Sequence, residues 1–125
     1  MRRLAAFTVI AAALAGCSEP ASESGTVVLD EYTIDLSGSV FTGDAVSLAV
    51  ENAGEFAHTL VVTRRDGSAV AATATVPPGS TAELVLDLEP GEYQVSCRIV
   101  VQLADGTIID HYEQGMVESL RVESR

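Results

Sequence analysis

A chain of 125 residues with only 5% aromatic residues holds one domain beside an export segment, since two domains would each be too small to bury a core. The chain has no lysine, and all 18 of its acidic residues follow Cys17. The net charge of −11 argues against nucleic acid and anionic lipid headgroups as partners of the domain surface and favours a cation or a basic protein.

Met1-Arg2-Arg3 is a basic start, and Leu4 to Ala15 is an apolar run without charge. The run is shorter than the ~20 residues a bilayer span needs and suits the core of a signal peptide. It closes on Leu14-Ala15-Gly16-Cys17, which resembles a bacterial lipobox. The resemblance implies removal of residues 1–16, lipidation of Cys17, and an extracytoplasmic protein anchored in the lipid bilayer of the cell membrane. Residues 17–25 then read as the lipidated cysteine and a small, polar, Pro-containing tether, and residues 26–125 as the domain. Loss of Arg2 and Arg3 leaves five arginines against 18 acids, a net charge of −13.

From Thr26 onward no long stretch spaces its apolar residues at helical intervals. Short alternating or β-branched runs recur instead, broken by turn residues. In chain order the predicted strands cover 26–36, 45–52, 58–64, 69–76, 81–88, 92–101, 107–112 and 117–123. The breaks carry turn chemistry, as in Asp66-Gly67, Pro77-Pro78-Gly79, Pro90-Gly91 and Asp105-Gly106. Turns roughly ten residues apart imply an all-β, two-sheet Greek-key sandwich.

The chain has two histidines, His58 and His111. Beyond Cys17 it has a single cysteine, Cys97, and beyond the initiator a single methionine, Met116. A lone histidine is commonly a surface residue, a lone methionine core filler and a lone cysteine a small buried hydrophobe. Taken together in the order His58, Cys97, His111, Met116 they match a different pattern: two imidazoles and a thiolate in a trigonal set with a weak axial thioether, the donor set of mononuclear copper. An unpaired cysteine in an oxidising compartment is unusual, and a thiolate held on a metal is protected there.

The flanking residues resemble those of cupredoxins. Val50 to His58 (VENAGEFAH) is similar to the segment where a strand ends at Asn, a Gly-containing loop follows and the first copper histidine begins the next strand. Pro90 to Cys97 (PGEYQVSC) resembles the late strand that ends at the copper cysteine, and His111 to Met116 (HYEQGM) the His-x4-Met end of the metal loop. The resemblance covers about Tyr32 to Val122. It implies His58, Cys97 and His111 as equatorial ligands of one copper ion, Met116 as the axial ligand, and the Ala57 carbonyl as a weak extra donor. The chain departs from the pattern at Thr59, where relatives often have Asn, and in the thirteen residues between Cys97 and His111, where relatives have a few.

That long insert decides whether the two ligands can meet. Its apolar halves around Ala104-Asp105-Gly106 signal a hairpin. A two-residue turn would pair Val100 with His111 and put Cys97 and His111 on opposite faces. A three-residue turn with Gly106 at positive φ pairs Leu103 with Thr107 and Ile99 with His111, and puts both ligands on one face. The copper site therefore requires the second register. No constellation for catalysis stands out, so the expectation is a non-enzymatic copper protein that transfers electrons with a basic redox partner. Copper storage or delivery, and a metal-free sandwich that binds another protein, are the alternatives.

Overall fold

Inward-facing aliphatic side chains at every second position build the structure. In β4 (Ala45–Asn52) Val46, Leu48, Val50 and Asn52 are buried while the residues between them are not. Leu84 and Leu86 of β7 (Thr81–Leu86), and Leu120 and Val122 of β11 (Val117–Glu123), repeat the pattern. Such alternation needs a second apolar layer to cover it. The computed structural model, which describes residues 22–43 and 45–124, supplies that layer. The run read as a signal segment, Cys17 and the first part of the stretch read as a tether lie outside the described residues.

One sheet has the order β2-β1-β4-β7, with β1 at Ser22–Asp30 and β2 at Thr33–Leu36. The other has the order β3-β11-β8-β5-β6, with β3 at Val40–Thr42, β5 at Val61–Arg64, β6 at Ala69–Ala72 and β8 at Gly91–Ser96. A separate ribbon pairs β9 (Val100–Gln102) with β10 (Ile108–Asp110). The all-β sandwich expected from the sequence is present, with the extra hairpin between Cys97 and His111. Val27, Leu48, Leu60, Val62, Val95 and Leu120 are among the residues that fill the space between the two main sheets.

The run 92–101 is broken after Ser96 into β8 and β9, which lie in different sheets, and three further features differ from the sequence reading. The run 26–36 is two strands joined at Glu31-Tyr32, with Asp30 paired to Thr33. The physical reason is a change of phase, because the inward positions are Val27 and Leu29 before the turn and Ile34 after it. Next, β1 begins at Ser22, inside the stretch read as tether, and runs parallel to β4 from the Ser22–Ala45 pair onward. Gly25 lets it lie there, because a Cβ at that position would come within 2.8 Å of the buried Phe41 ring. Finally, β3 was not anticipated. It is three residues long and is held by parallel pairing with β11.

Candidate metal centre

Three segments from different parts of the chain converge at one end of the sandwich. The first is the loop after β4. Asn52 is fully buried and its amide donates to the carbonyls of Phe56 and Val76, both at 2.8 Å, while its Oδ1 accepts from the Gly54 N–H at 2.9 Å. This single side chain folds the loop back. His58 then joins Val76 through two backbone bonds of 3.1 and 2.7 Å, which point its ring inward.

The second segment is the end of β8. Tyr93 anchors the strand's start by donating its hydroxyl to the Glu89 carbonyl at 2.6 Å, and Cys97 follows the last paired residue. The Cys97 N–H donates to the Met116 carbonyl at 3.1 Å, and the Met116 N–H donates to the His111 carbonyl at 3.1 Å. The third segment, from β10 to β11, is thereby tied beside the first two. Cys97, His58 and Met116 are fully buried and His111 nearly so.

The hairpin has the register that the site requires. Gln102 pairs with Ile108 and Val100 with Asp110, the Leu103 N–H donates to Thr107 O at 2.8 Å, and the His111 N–H donates to Ile99 O at 3.0 Å. Gly106 has φ +89°, as a three-residue turn closed by glycine demands. His111 and Cys97 therefore share the inner face, and Val100 and Ile108 lie exposed on the outer one.

His58 Nδ1 is 3.1 Å from His111 Nδ1, and Cys97 Sγ lies 3.9 Å from the first and 3.5 Å from the second. A point about 2 Å from all three atoms lies within this triangle, which is the length of a metal–imidazole bond and close to the ~2.3 Å of a metal–thiolate bond. Among the described residues these two histidines and the cysteine form the cluster placed to hold a metal ion. The residues present fit the group that the resemblance implies. His58, Cys97 and His111 come together, Met116 is buried and bonded through its backbone to both Cys97 and His111, and Cys17 lies outside the described residues.

Neighbouring groups prepare the donors. The Thr59 N–H points to Cys97 Sγ at 3.4 Å, and its hydroxyl lies at 3.8 Å. Thr59 thus reaches the sulfur from the position where relatives carry Asn. Burial lowers the His111 pKa, the His58 ring lowers it further, and Glu31 and Asp110 oppose the shift. The net effect keeps the imidazole neutral, the state that binds metal.

Sequence reasoning missed two residues here, both in the β1–β2 turn. The Glu31 carboxylate lies 3.2 Å from His58 Nε2, and the Tyr32 ring meets the His111 ring edge-on at a centroid distance of 5.3 Å. Glu31 Oε1 also accepts from the N–H groups of Phe56 at 2.7 Å and Glu55 at 2.9 Å. Partial burial opposes ionisation of Glu31, but the Phe56 N–H, Asp30 and the Glu55 N–H outweigh it and lower the pKa to about 2. The phase change between Leu29 and Ile34 was the available signal for this turn.

No protein-family model matches the sequence, and no curated protein matches it. Solved structures do match. Rusticyanin from Thiobacillus ferrooxidans superposes with a TM-score of 0.60 at 16% identity, over 80% of this chain and 77% of that one. Reduced auracyanin from Roseiflexus castenholzii gives 0.55 at 16% identity, over 82% and 96%. A purple cupredoxin from Nitrosopumilus maritimus gives 0.51 at 13% identity, over 78% and 98%. The fold is that of a cupredoxin. Larger copper enzymes also contain it, and the chain spans 40% of a blue copper oxidase from Nitrosomonas europaea. Within the cupredoxin frame, this chain carries its three clustered donors on the loop after β4, the end of β8 and the end of an inserted hairpin.

Proposed function

We propose that the chain is a mononuclear copper protein that carries single electrons outside the cytoplasm, held to the membrane through Cys17. The observation that carries this reading is the buried triangle of two Nδ1 atoms and one Sγ, with edges of 3.1, 3.5 and 3.9 Å. His58, His111 and Cys97 would hold the ion, with Met116 as the weak axial donor. Copper bound to such a set supplies a one-electron Cu(II)/Cu(I) couple, with soft sulfur stabilising the reduced state and imidazole accepting both.

The chain's own part is to hold the donors still and dry. Burial of all three side chains excludes water, and the backbone bonds among Cys97, Met116, His111, His58 and Val76 fix their spacing. A site that barely moves when its charge changes favours fast transfer in both directions. Among the described residues no second cluster of metal donors accompanies this one, which favours a carrier over a catalyst. Copper storage or delivery would use the same ligands, but an open site able to exchange ions suits that role better than a buried one.

The partner proposed is a positively charged redox protein. The mature net charge of −13 would steer it, and the outer face of the hairpin, where Val100 is 58% and Ile108 65% exposed beside Gln102, would receive it. The test is to add Cu(II) to residues 22–125 and record optical and spin-resonance spectra. One ion per chain with an intense thiolate-to-copper band is expected, and Cys97→Ser removes the band. A Cys97→Ser protein with the wild-type spectrum would refute the site.

A further inference from the structure

Two features of the β1–β2 turn stand apart from the ligands themselves. It belongs to the opposite sheet from Cys97, yet it touches both imidazoles, Glu31 on His58 and Tyr32 on His111. Glu31 is also held with unusual firmness for a turn residue. Its Oε1 accepts from two backbone N–H groups of the loop that leads to His58. Gly54 makes room for it, because a Cβ at that position would lie 2.5 Å from Glu31 Oε2.

We propose that Glu31 is a positioning residue of the metal centre: its carboxylate accepts the Nε2 proton of His58 and so fixes both the ring and the tautomer that presents the Nδ1 lone pair to the metal. This rests on the copper reading of the site. An oxygen that already accepts two backbone N–H groups is not the protonated oxygen of a carboxyl, so Oε1 has no proton to give. At 3.2 Å the ring nitrogen must then be the donor. A neutral imidazole carries one proton, so donation from Nε2 leaves Nδ1 free to bind metal. Nδ1 is the atom that faces His111 and Cys97.

The carboxylate does more than orient the ring. Carboxylate partners on the far nitrogen of a metal-bound histidine raise its basicity, and their loss typically costs 10–100-fold in metal affinity. A more basic imidazole favours Cu(II) over Cu(I), so Glu31 lowers the reduction potential. The turn also ties the loop that leads to His58 to the His111 ring, so it braces the site from a segment that holds none of the three clustered donors.

The experiment uses Glu31→Gln, which keeps the side chain's size and an acceptor oxygen but removes the charge, and Glu31→Ala, which removes both. Cu(II) and Cu(I) affinities are measured by chelator competition, the reduction potential by voltammetry, and the His58 tautomer in the metal-free chain by nitrogen-15 NMR. Expected results are an Nε2–H tautomer in the wild type and loss of that uniform state in Glu31→Ala. Cu(II) binding in Glu31→Ala should weaken 10–100-fold. In Glu31→Gln a tenfold fall in the ratio of Cu(II) to Cu(I) affinity should raise the potential by about 59 mV. An Nδ1–H tautomer in the wild type, or an unchanged potential in a Glu31→Gln protein that binds copper, overturns the role of Glu31. A wild type that shows the Nε2–H tautomer but binds no copper overturns the copper reading instead.

Discussion

Replacing Gly106 with valine probes how a turn remote from the donors governs them. Gly106 sits at φ +89°, and a Cβ there would meet nothing within 4 Å. The penalty of a side chain is therefore backbone strain alone, about 2 kcal/mol for a β-branched residue on the left-handed side. The metal-free chain can shed that strain by opening the turn and letting the strand pairing slip, which frees His111 from the inner face. Little opposes the shift, because Val100, Leu103 and Ile108 are exposed and the hairpin pairs with neither main sheet. The metal-bound chain must keep His111 inside and bears the strain in full. About 2 kcal/mol then appears as lost affinity, a weakening of about 30-fold. Chelator competition would show it, while the urea midpoint of the metal-free protein stays close to wild type. Gly106→Asn should recover most of the affinity, since Asn tolerates positive φ. Wild-type copper affinity in Gly106→Val would refute the link between turn and site.

Asn52→Ala removes three hydrogen bonds from a buried side chain and should destabilise the metal-free fold by about 3 kcal/mol in urea denaturation. Met116→Leu, a nearly volume-conserving change at a fully buried position, should keep both fold and copper but raise the reduction potential in voltammetry, because a weak electron donor is lost. Stability of the metal-free protein should fall as pH drops below about 6.5, where the unfolded His111 takes up a proton that the folded one resists. A second fall should follow between 4.5 and about 2, where protonation of Glu31 ends its acceptor role. A urea midpoint constant from pH 8 to pH 5 would contradict the first of these. Electron exchange with a basic cytochrome should slow as salt rises, since screening over ~8 Å weakens steering by the chain's net negative charge, and a flat dependence would remove that claim.

Much of the site was legible from the chain because its signals are local. Alternating aliphatic residues specify strands wherever one face is buried, and seven of the eleven strands among the described residues lie wholly inside single predicted runs, β4 and β11 among them. The hairpin register followed from the requirement that Cys97 and His111 share a face, and a glycine at the needed turn position agreed with it. At Thr59 the sequence showed only a departure from the Asn that relatives often have, and only the structure shows its N–H directed at the Cys97 sulfur.

The sequence by itself determined the donor inventory, because the domain has one Cys, two His and one Met and their chemistry does not depend on where they sit. It determined the sandwich as well, since period-two burial leaves no other way to cover two apolar faces. Only the tertiary structure decided the spacing of the donors to within a metal's reach, and only it revealed Glu31 and Tyr32 against the imidazoles. Those contacts join residues 27 and 79 positions apart, on different sheets or loops. Nothing in the local run from Thr26 to Leu36 encodes its neighbours across the core. Packing of one sheet on the other sets which turn falls over which histidine, and that is a property of the whole fold.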